Sequence, residues 1–110
     1  MLWLDTGSRD VEVEFRTQRL RSCYVESSAG TREWGDKIAR RYIERVNVLK
    51  HAKSADDLHK IAALRIHPLK GGRQGQHSIY LVDRWRMVIT FRDDALTVVR
   101  IEEVSAHYGD

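Results

Sequence analysis

The sequence predicts an α+β fold, with helices laid on one face of a twisted, mainly antiparallel sheet. Three observations predict it. The alternating stretch "VEVEF" near the start has the period of a half-buried strand. The middle of the chain carries apolar residues at three- and four-residue steps, the period of amphipathic helices. From Leu64 onward the period returns to two, in short runs separated by glycine- and aspartate-containing turns.

In order, "VEVEF" places Val11, Val13 and Phe15 on one strand face. "RTQRLRSCYVES" is a short candidate helix, and "SSAG" reads as a break. The strongest helix runs from Thr31 to Ala52, with Trp34, Ile38, Tyr42, Val46 and Leu49 as its apolar stripe. Lys37, Arg40, Arg41, Glu44 and Arg45 fall mostly off that stripe, and Gly35 is a local weakness in the helix interior. Ser54 with Asp57 three residues on resembles a capping box for a two-turn helix. "LRIH" is a short strand ending at Pro68, and "GGRQG" a loop. "HSIYLV" and "WRMVITF" are strands joined through Asp83 and Arg84. The second sends Trp85, Met87, Ile89 and Phe91 to one face and Arg86, Val88, Thr90 and Arg92 to the other. After a turn at Asp93 and Asp94, "LTVVRIEEV" is the last strand, doubly buried or bulged because Val98 and Val99 are adjacent.

A chain of 110 residues is expected to form one domain spanning 1–110, with one core. Net charge is +3, a weak pointer to an acidic partner such as nucleic acid. Cys23 is the only cysteine, which excludes an internal disulfide and a cysteine metal cluster and suits a reducing cytoplasm. "MLWLDTGSRD" is too short and polar for a signal peptide, and no apolar run approaches a bilayer span, so a cytoplasmic protein without a membrane role is expected.

The sharpest feature is "RIHPLKGGRQGQHSIYLVDRWR". From Ala62 to Arg92 the chain holds six cations, Arg65, Lys70, Arg73, Arg84, Arg86 and Arg92, against one carboxylate, Asp83. Such a face is either a solvated rim or an anion-binding surface. Within it, His67-Pro68-Leu69-Lys70-Gly71, then Gly75-Gln76, Ser78-Ile79, and the Trp85-Arg86 pair resemble the signature of HigB-like toxins in the RelE/ParE toxin–antitoxin superfamily. The ending "RIEEVSAHYGD" resembles that family's strand-plus-histidine ending. The likeness covers most of the chain and is strongest from Leu64 to Phe91.

That resemblance implies a RelE-like fold and a type II toxin acting as a ribosome-dependent mRNA endonuclease, with neither metal nor cofactor. Its implied partners are a cognate antitoxin, in a toxin–antitoxin hetero-oligomer, and mRNA on the ribosome with its rRNA. Two positions depart from the pattern. His77 stands where many members carry an aromatic residue. Where many end in Asp-Tyr-His, the register meets Val104 and Ser105, and His107 and Tyr108 follow later in reversed order. Either the tail bends to return them or the catalytic set is altered.

Metal-free RNA cleavage needs a base for the 2′-hydroxyl, cations for the phosphorane and an acid for the leaving 5′-oxygen. His67, Arg86, His107, Tyr108 and Glu103 are the candidate catalytic residues. Lys70, Arg73, Arg84 and Arg65 are candidates for RNA and ribosome binding. The spacing of His51, His59 and His77 offers no zinc site. Two rivals stand beside the nuclease: a ParE-like toxin acting on DNA gyrase, and a non-toxic protein-binding module of the same fold.

Overall fold

The structure is a computed structural model, and it describes residues 11–73, 75–93 and 97–106. The expectations for the N-terminal stretch, for Asp94 and Leu96, and for His107 and Tyr108 lie outside the described residues.

The chain opens with strand β1 (Glu12–Phe15) and helix α1 (Gln18–Val25). Thr17 caps α1, its Oγ1 accepting from the Leu20 N–H at 3.1 Å. Two helices follow where one was expected: α2 (Ser27–Trp34) and α3 (Asp36–His51). "SSAG" is the first turn of α2 rather than a break. The chain breaks instead at Gly35, whose φ of 88° lies in a region open to glycine and strained for other residues. The kink folds α2 back beside α3. There Gly30 lets the helices touch, because a Cβ at that position would stand 3.0 Å from the Ala39 Cβ. Trp34 crosses the kink to meet Tyr42 edge-on, with ring centroids 4.9 Å apart.

The α3 stripe is as expected. Ile38, Tyr42, Val46 and Leu49 are buried, and each such side chain contributes roughly 1.5–3 kcal/mol by leaving water. The Tyr42 hydroxyl donates to the Leu20 carbonyl at 2.8 Å, so this buried polar tip is satisfied. Ser54 caps α4 (Ala55–His59), accepting from the Asp57 N–H. "LRIH" differs from expectation. Ala62–Leu64 is a 3₁₀ turn, Arg65 is left-handed, and strand β2 is the pair His67–Pro68.

Strands β3 (Gln76–Val82), β4 (Trp85–Phe91) and β5 (Val98–Ala106) complete a five-stranded sheet in the order β1-β5-β4-β3-β2. β1 runs parallel to β5, and the other neighbours are antiparallel. The Asp93 carboxylate organises the start of β5, accepting from the N–H groups of Thr97 and Val98 and from the Thr97 hydroxyl. Those bonds, led by the hydroxyl, hold its pKa below the ordinary value. The core lies between the helices and one sheet face, where Ile79, Leu81, Met87, Ile89, Val99 and Ile101 are fully buried.

One pattern-based reading is corrected by this packing. Arg45, placed on the polar side of its helix by the sequence, is only 7% exposed. Its Nε donates to the Tyr80 carbonyl at 3.0 Å and its Nη2 to the Ala63 carbonyl at 3.3 Å. Burial, then the neighbouring Arg41, lowers its pKa from its ordinary value. The guanidinium ties α3 to β3 and to the 3₁₀ turn that delivers Arg65 and His67.

Candidate functional site

The face of the sheet away from the helices carries the candidate residues. Cross-strand pairing fixes which of them share a row. His67 pairs with Ser78, Ser78 with Val88, and Val88 with Glu103. Directly opposed residues point to the same face, so these four form one line across β2, β3, β4 and β5. Neighbouring strands lie about 4.8 Å apart, so the His67 and Glu103 backbones stand three strand steps, roughly 14 Å, from each other. The next row is Tyr80, Arg86 and Ser105. A third is Gln76, Thr90 and Arg100. Arg86 therefore sits on a strand between His67 and Glu103, displaced by one row.

A bulge in β5 shapes the Glu103 end. Val88 pairs with Glu103 but Ile89 pairs with Ile101, which leaves Glu102 as the extra residue. Glu102 turns to Arg16, whose Nε lies 3.7 Å from its Oε1. A cavity of about 460 Å³ opens beside the bulge, lined by Arg16, Arg19, Glu33, Trp34, Glu102 and Glu103 among others.

Arg73 reaches from the β2–β3 loop across the open face. Its Nε donates to Gln76 Oε1 at 2.9 Å and its Nη2 to Glu103 Oε2 at 3.2 Å. The Ser105 hydroxyl donates to the same Glu103 oxygen at 3.4 Å. Glu103 is thus an acceptor already engaged by two donors. Two further donors in these rows are buried without a hydrogen-bond partner among the described residues, the Ser78 hydroxyl and the Arg100 Nε–H. A buried donor without a partner costs free energy, so this face is built with donors to spare.

At the other end, the His67 ring is half-buried, with Nδ1 3.2 Å from the Pro68 carbonyl oxygen. That contact leaves Nε2 as the ring atom for chemistry. Arg86 is half-buried, its Nη1 donating to the Trp85 carbonyl at 3.2 Å and the Asp83 carbonyl at 3.4 Å. Arg65 is exposed, and its guanidinium lies 4.7 Å from the centre of the Tyr80 ring. Lys70 is exposed in the loop after β2, and Arg84 is exposed in the β3–β4 turn.

The structure therefore brings His67, Arg86, Glu103, Arg73 and Arg65 to one sheet face, with Lys70 and Arg84 at its rims. His77 points the other way. It pairs with Ile89, on the core side, and packs edge-on against Phe91 with centroids 5.4 Å apart. Its place in the strand alternation, one residue before Ser78, was the signal that could have assigned it. Burial lowers the His77 pKa, with His59 the next cause, and among the described residues its Nδ1 has no hydrogen-bond partner. Among the described residues no group of three or more His, Cys, Asp or Glu is placed to hold a metal. Tyr80, Gln76 and Ser105 share these rows and were not among the candidate site residues that the sequence offered.

Among the described residues, four α-helices beside a five-stranded, mostly antiparallel sheet match the RelE-like toxin fold. YafQ from Escherichia coli strain BL21(DE3) is similar to this chain with a TM-score of 0.56 at 12% identity, over 88% of this chain and 93% of that one. The YoeB–YefM complex from Staphylococcus aureus gives a TM-score of 0.56 at 17% identity, over 89% and 98%. A YoeB/ParE toxin from Agrobacterium tumefaciens gives 0.53 at 14%, over 89% and 100%. No protein-family profile matches the chain, and no curated protein does. No helix among the described residues is long and apolar enough to cross a membrane.

Proposed function

We propose that this protein is the toxin of a type II toxin–antitoxin pair, a single-domain, HigB-like endonuclease that cuts mRNA on the ribosome in the cytoplasm. The observation that carries the proposal is the row from His67 to Glu103 with Arg86 beside its middle. It supplies a proton carrier at each end and a fixed cation between them. In this reading the 2′-oxygen attacks the adjacent phosphorus and the P–O5′ bond breaks. The proton leaves the 2′-hydroxyl for one member of the His67–Glu103 pair, and the other protonates the 5′-oxygen. Arg86 stabilises the phosphorane. Arg65, Lys70, Arg73 and Arg84 hold the flanking phosphates and rRNA. His107 and Tyr108 join the same site if the tail returns to it.

The partner in this reading is a cognate antitoxin. E. coli YafQ is found in a DinJ–YafQ toxin–antitoxin complex, and S. aureus YoeB with YefM. A cationic sheet face suits a partner with acidic segments.

The test is primer extension on an mRNA translated with the protein present. Discrete cuts within codons support the nuclease. Poisoned gyrase without cuts would assign the ParE-like reading, and neither effect would leave a binding module. His67→Ala should lower single-turnover cleavage about 10²–10⁴-fold while ribosome binding persists. Cleavage by that variant at the wild-type rate would remove His67 from the mechanism.

A further inference from the structure

Arg65 and Arg86 are separated by a 3₁₀ exit, a strand pair and a turn, yet both guanidinium groups lie over one aromatic ring. The Arg65 carbon stands 4.7 Å from the Tyr80 ring centre and the Arg86 carbon 5.0 Å. Both distances fall within cation–π range. Neither arginine has a carboxylate partner among the described residues, whereas Arg73 on the same face is paired with Glu103.

Tyr80 is held at its backbone twice and at its hydroxyl once. Tyr80 is the in-register partner of Arg86 across β3 and β4. Its carbonyl accepts from the buried Arg45. Its hydroxyl accepts the Asp83 N–H at 3.0 Å, inside a turn where Asp83 has a φ of 56°. Arg65 is delivered to the ring by its own left-handed backbone, with φ 46° and ψ 44°. A left-handed arginine persists where the surrounding structure over-determines it. Two like charges are thus gathered on one rigid support, with no acid to compensate them. A phosphodiester backbone supplies the missing negative charge, and guanidinium forks match its paired oxygens.

We propose that Tyr80 is a positioning residue for single-stranded RNA, holding Arg86 at the scissile phosphate and Arg65 at the neighbouring phosphate of the same strand. This rests on the nuclease reading for the scissile phosphate alone. The two-arginine clamp stands on the ring geometry.

The experiment measures the affinity of the full chain for a short, uncleavable 2′-O-methyl oligoribonucleotide across a salt series, without ribosomes. Single-turnover cleavage of ribosome-bound mRNA is measured alongside. Arg65→Ala removes one phosphate contact and should flatten the logarithmic salt slope by about 0.7. Tyr80→Leu should flatten the slope at least as much, weaken binding about tenfold and slow the saturated cleavage rate. Tyr80→Phe, which keeps the ring and deletes the hydroxyl, should restore both slope and rate.

Wild-type affinity and slope in Tyr80→Leu would overturn the proposal. So would a Tyr80→Phe variant as damaged as Tyr80→Leu, which would assign the residue to capping the turn. If Tyr80→Leu does not fold, the wild-type proton spectrum decides. The Arg65 and Arg86 side-chain protons must show ring-current displacement by Tyr80, and its absence overturns the clamp. Tyr80-dependent oligonucleotide binding without mRNA cleavage would refute the nuclease and leave the clamp. Cleavage indifferent to Tyr80 would do the reverse.

Discussion

Replacing Arg45 by methionine keeps most of the side-chain volume and deletes the charge that joins α3 to β3 and to the 3₁₀ turn. Two hydrogen bonds disappear, one of 3.0 Å to the Tyr80 carbonyl and a longer one of 3.3 Å to the Ala63 carbonyl. A bond from a charged donor is worth about 1.5–3 kcal/mol net, and the longer one sits at the weak end. Methionine escapes the desolvation that depresses the Arg45 pKa, and this offsets part of the loss. The expected net cost is about 2–3 kcal/mol. With an unfolding entropy near 2.1 cal/mol/K per residue over 110 residues, the melting temperature should fall by about 10 °C. Calorimetry on wild type and Arg45→Met reads this directly. A fall smaller than about 3 °C would show that the two bonds do not hold the segment.

Other outcomes follow from particular contacts. Burial and the neighbouring His59 hold His77 below its ordinary value of 6.5, so the unfolded chain takes up the proton more readily. Stability is therefore full above pH 6.5 and is lost as pH falls from there towards the lowered folded value; His77→Phe should remove that loss, read as urea midpoints between neutral and mildly acidic pH. Gly30→Leu should push α2 from Ala39 and cost about 1–3 kcal/mol by overpacking, seen as a lower chemical-denaturation midpoint. On the proposed reading, Arg73→Ala should flatten the salt slope of RNA binding by about 0.7, and because it also releases Glu103 from its 3.2 Å bridge, an unchanged saturated cleavage rate would argue against Glu103 as a proton carrier.

The alternation of "WRMVITF" was sufficient to separate Met87 and Ile89, which are fully buried, from Arg86 on the opposite face. The α3 stripe and the Ser54 cap were equally legible, because both depend on residues within a turn or two of each other. Gly35 was visible only as a helix weakness. Whether a glycine bends or breaks a helix depends on what the next segment packs against, and here Trp34 must reach Tyr42. Arg45 obeys no local pattern. Its burial is made tolerable by carbonyls 35 and 18 residues away. The same holds at the site. His67 and Arg86 were candidates from a local signature, whereas the Arg73–Glu103 bridge spans 30 residues and the gathering of Arg65 onto Tyr80 needs a left-handed residue after a 3₁₀ turn.

β5 is the last described strand to be synthesised, yet it lies inside the sheet, between β1 and β4. Until it arrives, Val13 and Phe15 of the first strand have no neighbour to pair with, since their partners are Val99 and Ile101. Closing a loop of that length costs about 4 kcal/mol in chain entropy, a sum recovered only when the strand docks. A growing chain still attached to its own ribosome therefore holds His67 and Arg86 without Glu103 and without a closed core. The sheet therefore closes in one step, when the β5 segment docks between its two neighbours. On the toxin reading proposed above, this order of assembly withholds Glu103 from His67 and Arg86 until β5 docks, and gives an antitoxin already present the first opportunity to meet the closed sheet.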